Sequence, residues 1–93
     1  MTDGQASIST GILERYAADA ALAVEGVRGL VGRRGVRIRP DGRFELHVCV
    51  EWEASIPEVG HGVQARVREY LDAMAGVGRA AVDVVVDEVG PAR

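Results

Sequence analysis

The sequence has no lysine: all eleven of its basic residues are arginine. It has a single cysteine, Cys49, so an intrachain disulfide is excluded and nothing points to an oxidising compartment. Its aromatic residues are one Phe, two Tyr and one Trp. That is too few for the stacking platforms of single-strand nucleic-acid binding. No apolar run approaches the roughly 20 residues that a membrane-spanning helix needs, which argues against direct membrane insertion. The stretch Met1 to Thr10 is polar and small, without the basic start and apolar core of a signal peptide. These absences predict a cytoplasmic protein that reaches a membrane only through a partner.

What is present fits one small globular domain. The 93 residues suffice for a single core. Hydrophobic residues at 47% and charged residues at 27% are globular proportions, not disordered ones. The formal net charge is −3, unevenly spread. The segment 28–43 carries six arginines and one aspartate, for +5, leaving −8 on the rest of the chain. An acidic protein with one basic segment is the result.

The periodicity places five main elements. Residues 1–7 read as a flexible N-terminus, 8–89 as the domain, and 90–93 as a C-terminal tail. Ser9 is positioned to cap a first helix running to about Val24, with Leu13, Ala17, Ala20, Ala21 and Val24 on its apolar face. Gly26 stops it, and residues 27–31 read as an extra short strand. Pro40-Asp41-Gly42 then closes a hairpin between Val36–Arg39 and Arg43–Trp52. A three-residue turn sets Arg37 opposite Glu45 and Val36 opposite Leu46. The even positions Val36, Ile38, Phe44, Leu46, Val48, Val50 and Trp52 then face the core, because a one-residue slip would bury the charges instead.

Ser55-Ile56-Pro57-Glu58 is a capping box that opens a second helix. Its apolar stripe is Val59, Val63, Val67, Tyr70, Leu71 and Met74. Ala81 to Val89 reads as the last strand, with Val82, Val84 and Val86 on one side. The predicted fold is α+β: a two-layer α/β sandwich in the order α-β-β-α-β, with the extra strand at 27–31. Both helices lie on one face of a small sheet.

The chemistry-bearing residues point to binding. His47, Cys49 and Glu51 alternate along the open face of one strand and offer N, S and O donors. Ligands in a row diverge rather than converge, and no C-x-x-C accompanies them, so neither a metal nor a cofactor is expected. Cys49 beside His47 lacks an orienting carboxylate and an oxyanion hole, and His61 lies off the apolar stripe, so no catalytic residue is assigned. The expected docking residues are Arg33, Arg34, Arg37, Arg39 and Arg43, with Arg37 paired to Glu45 across the hairpin. Trp52 is expected to close the core. Ala81, Val85 and Cys49 would make a mild apolar strip on the uncovered sheet face, suited to self-association.

The ordered set of Ile8-Ser9, Val24-Glu25-Gly26-Val27, Ile56 to Gln64, Met74-Ala75-Gly76-Val77 and Val82-Asp83-Val84-Val85-Val86 resembles the alkaline shock protein (envelope stress response) family of Gram-positive-type bacteria. The match runs from about Ile8 to Val89. The chain departs from the family pattern at Trp52-Glu53-Ala54, Ala75 and Asp83. The resemblance implies a non-enzymatic cytoplasmic protein of the envelope stress response. Its partners would be proteins, among them a membrane-anchored one or further copies of itself. The alternative class is a small RNA-binding domain using the segment 28–43. Gly32-Arg33-Arg34-Gly35 matches the G-x-x-G loop of KH domains, but that loop should join two helices, and overall acidity opposes RNA.

Overall fold

The computed structural model describes residues 9–32, 35–77 and 79–91. The expectations for residues 1–7, Arg33, Arg34 and the last two residues therefore lie outside the described residues. The element order is α1 (Thr10–Leu22), β1 (Val27–Leu30), β2 (Val36–Ile38), β3 (Phe44–Glu51), α2 (Ile56–Ala75) and β4 (Val82–Gly90). This is the expected α+β sandwich, and the short extra strand is present as β1.

Both helices start where side-chain caps satisfy backbone N–H groups that have no partner within the helix. Ser9 Oγ accepts from the Ile12 N–H at 3.3 Å, and Ser55 Oγ accepts from the Glu58 N–H at 3.3 Å. Helix α1 presents Ala17, Ala20 and Ala21 to the core, all buried. Side chains this small let α1 lie close to its neighbours. Helix α2 buries Val59, Val63, Val67 and Leu71. Tyr16 and Tyr70 join the two helices edge to face, with ring centroids 5.8 Å apart. Such an arrangement matches the quadrupoles of the rings.

The sheet is mixed and built around β3. Strand β4 pairs with β3 in parallel along its whole length, from Phe44↔Val82 to Glu51↔Gly90. The parallel pairing requires a long crossover, which α2 supplies. Strands β1 and β2 are both antiparallel to β3 and share its remaining edge, β1 along Val48–Val50 and β2 along Phe44–Leu46. The expected hairpin register is observed: Val36, Arg37 and Ile38 pair with Leu46, Glu45 and Phe44. The turn is closed by the Gly42 N–H donating to Arg39 O and the Arg39 N–H donating to Arg43 O, both at 2.8 Å. Between β1 and β2 the chain leaves the ladder and returns. The backbone of His47 spans the gap, accepting from Val31 N–H and donating to Gly35 O, each at 2.8 Å.

The even-numbered face of β3 is the core face. Phe44, Leu46, Val48 and Val50 are buried together with Val36 and Val82. Each such side chain contributes roughly 1.5–3 kcal/mol on burial, enough to fix the register.

Two expectations need correction here. Trp52 is not a core lid: it is 59% exposed. Strand β3 ends at Glu51, and Glu53 adopts φ 73 in the turn that follows, so the alternation stops one residue before the tryptophan. Met74 is also no core residue, at 47% exposed. It lies in the last turn of α2, next to Gly76 and beyond the buried Leu71.

Candidate interaction surface

The helices cover one face of the sheet and leave the other open. The odd positions of β3, Glu45, His47, Cys49 and Glu51, belong to that open face. Two irregularities shape it. Strand β1 advances two residues, Val27 to Gly29, while β3 advances one, so Arg28 is an extra residue there. Strand β4 does the same between Val86 and Glu88, which makes Asp87 extra. Both bulges fall next to Cys49, one on each side of the central strand. Bulges bend a strand and re-aim a side chain.

Here they bring charged groups over β3. Arg28 Nε donates to Pro91 O at 3.0 Å, and its Nη1 lies 3.9 Å from Cys49 Sγ. Cys49 is consequently buried at 4% exposure, not on an accessible face as expected from alternation. Asp87 Oδ2 lies 2.7 Å from His47 Nδ1, while Glu45 Oε2 lies 2.6 Å from His47 Nε2. A carboxylate oxygen faces each ring nitrogen, an arrangement that favours the imidazolium because only that form can donate from both nitrogens. The flanking carboxylates, Glu45 first and Asp87 second, raise the His47 pKa above its ordinary value, against a smaller opposing effect of burial.

Glu45 has a second partner, and it is not the expected one. Arg37 is its ladder neighbour, but the carboxylate bonds to Arg39 Nη1 at 2.7 Å. The Arg39 hydrogen bond, followed by that of His47, holds Glu45 below the usual carboxylate range. The same bond raises Arg39. Arg43 bonds to both oxygens of Asp83 at 3.1 and 3.2 Å and approaches Asp41 at 3.7 Å. The result is a line of alternating charge, Arg39–Glu45–His47–Asp87, running across the sheet, with Arg43–Asp83 beside it.

The expected docking arginines are therefore unequal. Arg39 and Arg43 remain about half exposed while ion-paired. Arg37 is exposed and has no ion pair among the described residues. It borders an open depression of about 480 Å³ with Val31, Gly32, Gly35, Val36, His47 and Asp87. His47, Cys49 and Glu51 do not come together as a donor set. Both nitrogens of His47 are engaged by carboxylates on opposite sides of the ring, and Cys49 lies under Arg28. His61 is exposed on α2, as expected.

The opposite end of the sheet holds a feature that sequence reasoning missed. Trp52 stands beside a depression of about 410 Å³ whose lining includes Glu25, Glu51, Glu53 and Glu58. The Glu51 N–H donates to Gly26 O at 2.9 Å and the Trp52 N–H to Gly90 O at 2.7 Å, which draws the α1–β1 turn and the end of β4 to this place. The available signal was the stretch from Phe44 to Ala65, which contains no arginine.

No protein-family model and no curated protein sequence matches the chain. Solved structures do resemble it, and they share the fold. A variant of the C-terminal domain (CTD) of MamM superposes with a TM-score of 0.63 at 22% identity, covering 91% of this chain and 99% of that one. The cadmium form of another MamM CTD variant gives 0.61 at 23% identity, with 90% and 96% covered. A copper form gives 0.62 at 22% identity, with 91% and 99% covered.

Proposed function

We propose that this chain is an interaction module that acts by binding protein rather than by catalysis, and that it serves an alkaline-shock-type envelope stress response. The observation that carries the reading is the exposed arginine group on an uncovered sheet end. Arg37 has no ion pair among the described residues, and Arg39 and Arg43 stay half exposed beside it. Arg33 and Arg34 add to the same segment in sequence. Arginine is enriched at protein interfaces because its planar fork binds carboxylates in two-point fashion. In this reading the protein is cytoplasmic and a membrane-anchored partner brings it to the envelope. Among the described residues no helix is long and apolar enough to cross a membrane.

The RNA reading draws less support. Gly32 and Gly35 belong to a connection between two strands, whereas the KH loop joins helices. Phe44 is buried, Tyr16 and Tyr70 engage one another, and Trp52 sits among glutamates that repel phosphate.

The test is affinity capture from the source bacterium, with and without nuclease. Wild type is compared with a form in which Arg33, Arg34, Arg37 and Arg39 are changed to Glu. The expected result is a membrane protein captured despite nuclease and lost on charge reversal. Captured RNA that disappears with nuclease would replace this reading with the alternative.

A further inference from the structure

We infer that the Trp52 end of the molecule is a docking surface for the arginine-bearing end of a second copy, so that copies join head to tail. This rests on the arginine end being a docking surface and names what it docks against.

Three exposed apolar side chains gather at the Trp52 end: Trp52 at 59%, Ile56 at 46% and Val89 at 46%. The Trp52 N–H bonds to Gly90 O, and Ile56 opens α2 four residues further on, so all three belong to one end of the sheet. Around them stand Glu25, Glu51, Glu53 and Glu58, none of them in an ion pair among the described residues, and no arginine lines the depression. An apolar anchor within a charged rim is the anatomy of a protein interface. Tryptophan and arginine dominate binding energy at such places, and a guanidinium stacks on an indole face while meeting carboxylates.

The complementary charge is on this chain, at the far end of β3. Arg37, Arg39 and Arg43 surround the β2–β3 turn, and the eight residues of β3 separate that turn from Trp52 by roughly 25 Å. No molecule can bring these three arginines onto its own Glu25, Glu51, Glu53 and Glu58 across that distance. A neighbour of the same sequence can, because it brings Arg37, without an ion pair among the described residues, and the half-exposed Arg39 and Arg43 to a depression lined by four glutamates. The two surfaces are different patches, so the contact is heterologous. It leaves one free end of each kind and propagates rather than closing as a two-fold dimer.

Sedimentation velocity across a range of concentration and salt tests this, using Trp52→Ala to block one end and Arg37→Glu with Arg39→Ala to block the other. All three residues replaced are exposed, and circular dichroism checks that each variant folds. Wild type is expected to grow in mass with concentration, and to lose that growth when salt screens the contact. Each variant alone is expected to associate about tenfold or more weakly. An equal mixture of the two is expected to form dimers and stop, since only one competent contact remains between them. A wild type that stays monomeric, or stops at a dimer, would overturn the inference. So would a variant that assembles as wild type does, or a mixture no larger than its parts. A monomeric wild type that still captures a membrane protein through its arginines would sink self-docking and leave the proposed function standing.

Discussion

His47 on β3 and Asp87 at the bulge of β4 meet at 2.7 Å across the open face of the sheet. With Glu45 on the other ring nitrogen and Arg39 beyond it, the imidazolium ties two strands together. The folded state holds the His47 proton more tightly than its ordinary value near 6.5 allows. The stability it adds is therefore fully present below about pH 6.5 and is lost as pH rises through the higher folded value. Glu45 acts in the opposite sense: its contribution is present above its ordinary value near 4.5 and is lost as pH falls through the lower folded value. Urea unfolding should show a decline on the alkaline side that His47→Gln flattens. The cost of that change at pH 6 should be about 1 kcal/mol, because the ring is partly solvated. An unchanged alkaline slope in the variant would remove the role given to this pair.

Arg28 covers Cys49. Its guanidinium sits 3.9 Å from the thiol and anchors on Pro91 O, leaving the cysteine 4% exposed. Alkylation of the native protein should therefore be slow, and Arg28→Ala should speed it by about tenfold by opening the thiol to solvent. Equal rates in the two proteins would show that the neighbouring strands, and not Arg28, shield the sulfur.

Much of this fold was legible because period and punctuation agree. Ser9, the Ser55-to-Glu58 box and Pro40-Asp41-Gly42 mark boundaries by local hydrogen bonding, and those marks do not depend on the rest of the chain. The alternation from Val36 to Val50 fixed the register for the same reason. What escaped was everything decided between strands. A bulge adds one residue without changing composition, so Arg28 and Asp87 read as ordinary strand residues, and neither the cover over Cys49 nor the contact with His47 could be seen. Glu45 chose Arg39 over its ladder partner Arg37, because long side chains reach diagonally. Trp52 was misplaced because alternation was extended past Glu51 into a turn. Three of the glutamates around it, Glu51, Glu53 and Glu58, are its close neighbours in sequence, and only Glu25 is brought there by the fold.

Gly26 lies where the α1–β1 turn meets the start of α2. Its φ is 95, and an added Cβ would lie 2.6 Å from Val59 Cγ2. Gly42 has nearly the same φ, 91, but open space around it. Both changes to alanine strain the backbone by about 1 kcal/mol, and only Gly26→Ala also forces a buried valine to move. Gly26→Ala should therefore destabilise by roughly 2–4 kcal/mol in all. Chemical denaturation of the two variants checks this, and equal losses would mean that Val59 yields without cost.

Leu71 and Met74 share the stripe that the spacing of α2 assigns to the core, yet Leu71 is fully buried and Met74 is 47% exposed. Leu71→Ala removes most of a side chain from beneath the helix and leaves a cavity, for a loss of about 2–5 kcal/mol. The whole chain is stable by only ~5–14 kcal/mol at ordinary per-residue values, so that loss is a large share of the total. In a domain of this size each kcal/mol moves Tm by roughly 4–8 °C, and Leu71→Ala should lower it by at least about 8 °C. Met74→Ala should stay within about 0.5 kcal/mol, a shift of a few degrees at most. A thermal melt in which Met74→Ala falls as far as Leu71→Ala would mean that something covers the end of α2 in solution. In that event the exposed methionine, and not the arginine turn alone, would mark a contact surface.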